Sequence, residues 1–195
     1  MALEETKSIE EWVAFFKKTE IPVLKHTLRT LTELQQDDDK LSARAITLAV
    51  LSDPMMVFRV LCYAQQHKGR SQLQDLVQVE QAVIMMGTTA FFKNLMPTNL
   101  VDKVLSNQLI ALTHLLKLIK RSHRAAHYAV DWAVYHKDLH AEEIRIAALL
   151  HDLAEMLMWC FNPEEMIEIH TQQSMNKSLR SAIVQEAVLG FKLHD

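Results

Sequence analysis

The chain of 195 residues has a formal net charge of -3 and an apolar fraction of 49%, which together exclude several classes of protein. Its length allows one or two closely packed units. No stretch approaches the roughly 18 to 20 uninterrupted apolar residues of a membrane span, and the acidic N-terminus lacks the apolar centre of a signal peptide. The charge balance also lacks the basic character typical of nucleic-acid-binding domains. These features predict a cytoplasmic protein.

The composition also predicts the fold class, which is all-α. The chain has only 3 glycines and 4 prolines, whereas the two together average roughly 12% of residues and tight hairpin turns depend on them. Apolar residues recur at helical spacing, and no strand-like alternation of four or more residues competes with them. The sequence therefore predicts helices joined by short polar loops.

The first half of the chain carries clear helix-start and helix-stop signals. Ser8 and Glu11 match a capping box, Asp53 and Pro54 match a carboxylate N-cap followed by proline at the first helical position, and Gly87 matches a C-cap. With the apolar spacing, these signals predict six helices, which begin near Ser8, run through Leu24–Leu31, span about Ser42–Leu51, follow Asp53, span Val79–Met86, and span about Thr89–Leu95.

Longer helices are predicted in the second half, with a seam between the halves near residue 97. An apolar stripe starts at Val101 and continues toward Arg121, and a break is predicted there before the stripe resumes through Ala125, Ala129, Trp132 and Ala133. The following segment, residues 141–161, reads as one buried helix that carries the doublet His151-Asp152 in its middle. Two further helices are predicted, one after Asn162-Pro163 and one over Ser178–Leu189.

The cysteines and methionines are interpreted as core residues. Cys62 and Cys160 lie far apart in apolar segments, without a second cysteine nearby, so we predict reduced thiols and neither a disulfide nor a zinc pair. Methionine fills irregular gaps in cores, and the same role is predicted for Met55, Met56, Met85 and Met86.

Six short motifs follow one another along the chain: Ile21–Leu24, Leu51–Pro54, Arg59–Ala64, Gln81–Gly87, Ala148–Asp152 and Val188–Phe191. Together, in this order and spacing, they resemble the HDOD domains, the HD-related output domains of bacterial signalling proteins. The resemblance covers about Ile21 to Asp195. It departs at Gln65-Gln66, next to Ala64, where such domains often carry an asparagine-serine pair.

The resemblance implies a domain organisation. We expect an N-terminal helical extension over residues 1–20 and an HDOD-like domain over 21–195, divided into a small-helix half (21–97) and an HD-like half (98–195) that is incomplete at its C-terminus. Trp12, Phe15 and Phe16 are predicted to be packing residues. The extension is expected either to cap the domain or to mediate dimerisation.

The resemblance also implies where a metal site would lie. HD enzymes hold a divalent cation with a histidine on an earlier helix, the His-Asp doublet and a further downstream aspartate. Matching Ser122 and Tyr128 to that earlier helix places Arg121 at the position of the histidine. A guanidinium stays protonated and has no lone pair for a metal. No aspartate lies between Asp152 and the final residue, Asp195.

These departures predict a vestigial site formed by Arg121, His151 and Asp152, with no catalytic residue and no cofactor. Glu155 stands where many active HD enzymes carry a basic residue, and Ala154 replaces the usual glycine. We expect the Arg121 guanidinium to lie near Asp152 and to supply the charge neutralisation that a metal provides in active relatives.

An alternative is a metal-dependent phosphohydrolase that acts on a nucleotide or a cyclic dinucleotide. His123, His127 and Asp131 recur at intervals of four, so they share a helical face. If the register is shifted by two residues, His123 and His127 would join His151 and Asp152 as ligands. The competing interpretation is that both histidines make local hydrogen bonds.

Lys117, Lys120, Arg121 and Arg124 form the one basic cluster of the chain, which we interpret as a solvated helix face. Lys117, Lys120 and Arg124 are candidate interaction residues, and nucleic-acid binding is the least favoured function. The sequence predicts a catalytically inactive HD-like signalling module that binds a protein partner or a small effector. It makes no prediction about the oligomeric state.

Overall fold

Twelve helices build the fold within residues 7–67 and 78–194, the ranges that the computed structural model describes. The predicted all-α class is confirmed, since the only extended pairing in these ranges is a single parallel bridge between Val23 and Leu100. The helices are α1 (Ile9–Lys18), α2 (Lys25–Gln36), α3 (Ala43–Leu51), α4 (Pro54–Gln66), α5 (Val79–Met86), α6 (Thr88–Leu95), α7 (Val101–Val104), α8 (Leu109–Tyr135), α9 (Ala141–Leu150), α10 (Leu153–Phe161), α11 (Pro163–Met175) and α12 (Ser181–Leu189).

The predicted helix starts are confirmed by their hydrogen bonds. Ser8 Oγ accepts from the amide of Glu11, and the Glu11 carboxylate accepts in return from the amide of Ser8 at 2.8 Å. Asp53 Oδ1 accepts from the amides of Met55 and Met56 at 3.0 and 3.3 Å, with Pro54 at the start of α4. Each cap satisfies helix-end N–H groups that have no partner within their own helix.

The predicted break after Arg121 is wrong, because α8 runs unbroken for 27 residues. The chain breaks earlier, between α7 and α8. No glycine or proline interrupts α8. The buried stripe continues through Ser122, whose hydroxyl donates to the carbonyl of Leu118 at 3.2 Å. Trp132, expected on that stripe, is instead 65% exposed.

The predicted single helix over residues 141–161 is also wrong, because the chain forms two helices there. α9 ends at Leu150 and α10 begins at Leu153, so His151 and Asp152 occupy the junction. A junction places polar side chains next to solvent, where they do not have to be buried among apolar neighbours. The apolar run that made the doublet look buried is shared between two helix ends.

Two hydrophobic clusters form the core. One gathers side chains of α3 to α6, including Met56 and the fully buried Phe91, with contributions from α8 and α9. The other surrounds α8, α10 and α11 and includes Met55, Cys160 and Trp12, so Trp12 is the packing residue that the sequence predicts. Met85 departs from the predicted core because it is 49% exposed.

Hydrogen bonds link the segment before α2 to the segment before α7. Val23 accepts from the amide of Val101 at 2.9 Å and donates to the carbonyl of Asn99 at 3.1 Å. The Glu20 carboxylate accepts from the amide of Thr98 at 3.0 Å and pairs with Arg59 at 2.9 Å. The predicted seam near residue 97 is thus bridged by paired backbone, and the domain boundary there stays a prediction.

The two cysteines are free, and the thiol of Cys160 is buried, which raises its pKa to about 12. Among the described helices, none combines the length and the apolar character needed to cross a membrane.

Candidate functional site

The His151-Asp152 doublet lies at the surface, at the junction of α9 and α10. The side chain of His151 is 82% exposed, while that of Asp152 is 20% exposed and faces α8. The ring Nδ1 of His151 lies 3.0 Å from Asp152 Oδ1, so this nitrogen donates a hydrogen bond to the carboxylate.

Arg121 of α8 binds the other oxygen of the same carboxylate. Its Nη2 and Nε lie 2.9 and 3.3 Å from Asp152 Oδ2, so the contact predicted from the sequence is present. Nη2 also lies 3.5 Å from Glu155 Oε2, and Trp159 Nε1 donates to Glu155 Oε1 at 3.4 Å. One guanidinium therefore faces two carboxylates, and each carboxylate has a second hydrogen-bond donor.

The pKa values of the two carboxyl groups shift in opposite directions. Partial burial acts to raise the pKa of Asp152, but hydrogen bonds from His151 and Arg121, together with their charges, outweigh it and lower this pKa. Burial raises the pKa of Glu155 more than Arg121 and Trp159 lower it. Arg121 therefore neutralises Asp152 effectively and Glu155 only in part.

We expect Glu155→Gln to stabilise the protein slightly at pH 7, by less than about 1 kcal/mol. Because the folded-state pKa of Glu155 is raised, ionising this group opposes folding, and the cost appears as the pH rises from the unfolded-state pKa through the folded-state pKa. Glutamine cannot ionise, yet it still offers Trp159 an acceptor. Thermal unfolding at pH 7 and pH 4 measures the effect, which should disappear at the lower pH. A gain of equal size at both pH values would contradict the assignment.

The doublet opens into a cavity of about 580 Å³ between the α9–α10 junction and α12. Gln185 organises its far wall, since its amide nitrogen donates to Ser181 Oγ at 3.0 Å and its amide oxygen accepts from the backbone of Leu193 at 3.1 Å. This wall was not predicted from the sequence. Gln185, a polar residue on the apolar face of the last helix, was the one indication of it. The lining residues are His151, Asp152, Ala154, Glu155, Ser181, Ala182, Gln185, Leu193 and His194.

The four residues of the alternative ligand set lie in two separate places, His123 and His127 at one cavity and His151 and Asp152 at another. His123 Nε2 donates to the carbonyl of Ser52 at 3.1 Å. His123 and His127 both line a separate cavity of about 330 Å³, together with Glu142 and Arg145. Residues two apart on a helix point about 200° apart, so His123 faces away from the side of α8 that carries Arg121. Within the described ranges, no three His, Cys, Asp or Glu side chains are grouped to hold a metal ion. The donors do not fit a divalent cation, which needs four or more ligands.

The other members of the basic cluster are exposed. Lys117, Lys120 and Arg124 lie on the solvent side of α8. Within residues 7–67 and 78–194, Arg121 alone of the four forms an ion pair with a carboxylate.

A His-Asp doublet at a helix junction, facing a long central helix in an all-α fold, defines an HD-like helical protein. The family model for the HDOD domain matches residues 21–195, and the chain belongs to this family. Among solved structures, the fold is similar to that of the MmoQ response regulator from Methylococcus capsulatus str. Bath, with a TM-score of 0.66 and 16% sequence identity over 90% of this chain and 68% of that chain. No curated protein matches the chain.

Proposed function

We propose that this protein is a catalytically inactive HDOD module with a signalling or regulatory role, and that the cavity beside His151 and Asp152 binds a protein partner or a small effector. The observation that carries the proposal is the Arg121 guanidinium bound to Asp152 at 2.9 Å. The alternative, a metal-dependent phosphohydrolase, would need those same carboxylate oxygens for a cation.

The chemistry of the site supports binding without catalysis. A metal-activated hydroxide requires a metal cation held with an open coordination position. Here the Arg121 guanidinium neutralises the Asp152 carboxylate instead. Asp152 has both oxygens engaged, one by Arg121 and one by His151. We propose that no metal or other cofactor binds and that Arg121 keeps the cavity wall in shape.

The lining of the cavity fits a ligand of mixed polarity. His151 and the Ser181 hydroxyl offer hydrogen bonds, while Ala154, Ala182 and Leu193 offer apolar contact. Nucleic acid is a poor match for this cavity, since the single guanidinium beside it faces two carboxylates and leaves no net positive charge for a phosphate. We propose that the module works in the cytoplasm.

We expect Arg121→Ala to lower the free energy of unfolding by about 1 kcal/mol. The guanidinium is 57% exposed, so solvent screening keeps the ion pair weak, but its removal leaves Asp152 half-buried without its cation. Arg44→Ala is the control, because Arg44 is also an exposed arginine and lacks an ion pair in the described ranges; it should change stability by less than about 0.5 kcal/mol. Urea unfolding measures both variants, and equal effects would refute a special role for Arg121.

Calorimetry with manganese tests the inactive site directly. We expect no binding of manganese to the wild-type protein, no effect of EDTA on its melting temperature, and no manganese-dependent hydrolysis of a phosphodiester. Stoichiometric manganese binding together with hydrolysis would overturn the proposal and restore the phosphohydrolase.

A further inference from the structure

The exposed face of α8 combines aromatic rings at one end with basic side chains at the other. We propose that two copies of this chain associate through this face, with their α8 helices antiparallel about a two-fold axis near His127 and Tyr128. None of the residues used in this inference lines the cavity beside the doublet, so the inference does not depend on the proposed function.

The aromatic end of the face is unusual for this chain. Tyr128, Trp132 and Tyr135 are 64%, 65% and 79% exposed, whereas every other Phe, Tyr and Trp of the chain is buried or half-buried. Leu139, which follows the helix, is 95% exposed. Contiguous exposed aromatic surface of this kind marks an interaction site more often than a solvated surface.

The rings are already arranged as a cluster. The rings of Trp132 and His136 stack with centroids 5.6 Å apart, and Tyr135 meets His136 edge-on at 5.3 Å. Trp132 and Tyr135 also pack at nearly right angles. Side chains held in this way lose little conformational entropy when a partner binds.

The basic end continues the same face toward the start of α8. Lys117, Lys120 and Arg124 precede Asp131 and Tyr135 at spacings that keep all five on one side of the helix. The buried side chains, among them Leu115 and Ala126, occupy the opposite side. None of the three basic side chains pairs with a carboxylate in the part of the chain that the structure describes.

This order of side chains is self-complementary when the helix is reversed. A two-fold axis between His127 and Tyr128 places Arg124 of one copy opposite Asp131 of the other, and Lys120 opposite the Tyr135 ring. The first contact is an ion pair and the second a cation–π contact. Each contact occurs twice, as a two-fold interface requires. The aromatic end of a second copy therefore supplies a carboxylate for Arg124 and a ring for Lys120, and the same contacts form in the opposite direction.

The size of the face indicates a weak dimer. Three partly exposed rings offer on the order of 400 Å² per copy, below the roughly 800 Å² per partner of a standard interface. Aliphatic stems of the basic residues add area at the rim. We therefore expect dissociation in the micromolar range, with weaker association at high salt.

Sedimentation velocity of the full chain over a range of micromolar concentrations, combined with a charge exchange, tests the proposal. The wild-type protein should shift from monomer to dimer as its concentration rises. Arg124→Glu and Asp131→Arg should each weaken the dimer at least tenfold, because each variant places like charges opposite one another. An equimolar mixture of the two variants should regain the dimer, since both ion pairs re-form with exchanged signs.

Two further variants distinguish the contribution of the aromatic rings to the dimer from non-specific association of exposed apolar side chains. Trp132→Ala combined with Tyr135→Ala should abolish the dimer while leaving the far-UV circular dichroism unchanged. Ile183→Ala removes an exposed apolar side chain, 57% exposed, from α12, and should leave the dimer intact. A monomer at every concentration, a dimer that survives the double variant, or a mixture that fails to recover would each overturn the proposal. Salt-sensitive binding of single-stranded DNA by a strictly monomeric protein would instead assign the face to nucleic acid.

Discussion

Replacing Asp53 by alanine is expected to lower the free energy of unfolding by about 3 kcal/mol. Asp53 is fully buried. One carboxylate oxygen caps α4, and the other accepts from the amide of Leu24 at 2.7 Å and from the Thr27 hydroxyl at 3.1 Å. Alanine would remove the cap and leave these buried donors without an acceptor, and both losses are destabilising.

A cap on the neighbouring helix provides the comparison. Ser42 caps α3 through a single bond to the amide of Ala45 at 3.1 Å, at an exposed position, so Ser42→Ala should cost about 1 kcal/mol. In Asp53→Ser the serine hydroxyl can still cap α4 but is too short to bond to Leu24 and Thr27 as well. Its loss of unfolding free energy should lie between those of Ser42→Ala and Asp53→Ala. Urea unfolding ranks the three variants. If Asp53→Ala cost no more than Ser42→Ala, the link between α2 and α4 would carry no stability.

Trp12→Ala is expected to cost about 3 kcal/mol, because it removes the side chain that anchors α1. Trp12 is 7% exposed and belongs to the core cluster around α8 and α10. Its ring stacks on Phe16 at 5.5 Å, and Phe15 meets Phe161 of α10 edge-on at 5.3 Å. Without the indole, α1 should separate from α10 before the rest of the protein unfolds.

Hydrogen exchange distinguishes this local effect from a global one. The amides of α1 should lose protection in Trp12→Ala at a denaturant concentration that leaves α8 protected. Val13→Ala is the matched control, since Val13 is 44% exposed on the same helix. Unchanged protection of α1 in Trp12→Ala would show that the aromatic contacts do not hold the helix in place.

Local signals in the sequence predicted most of the fold. The caps at Ser8 and Asp53 depend on side chains that bond to their own helix, so short patterns suffice to place them. Two errors in helix boundaries, a break near Arg121 and an unbroken helix through His151, both concern long-range packing. Whether a helix continues there depends on which face meets a neighbour, and periodicity alone does not encode that.

The resemblance predicted the part of the candidate site around His151 and Asp152, but it did not predict the cavity wall formed by α12. The pairing of Arg121 with Asp152 follows from matching one helix to a family pattern. It was predicted correctly although two helix boundaries were wrong, because the match depends on the positions of the two residues and not on where the helices end. Gln185 was missed because its role depends on a contact with Leu193 in the chain that follows α12. The exposed aromatic face was missed because Trp132 falls at a spacing that equally suits a buried position.

The bonded segments on either side of residue 97 restrict how the two core clusters can move relative to each other. The backbone of Val23 bonds to Asn99 and Val101, and the Glu20 carboxylate bonds to Thr98 and Arg59. Several hydrogen bonds and one ion pair therefore hold the two segments together. A hinge there would have to break these bonds together. Any relative movement of the two clusters would therefore either break these bonds together or carry the bonded segments along as one unit.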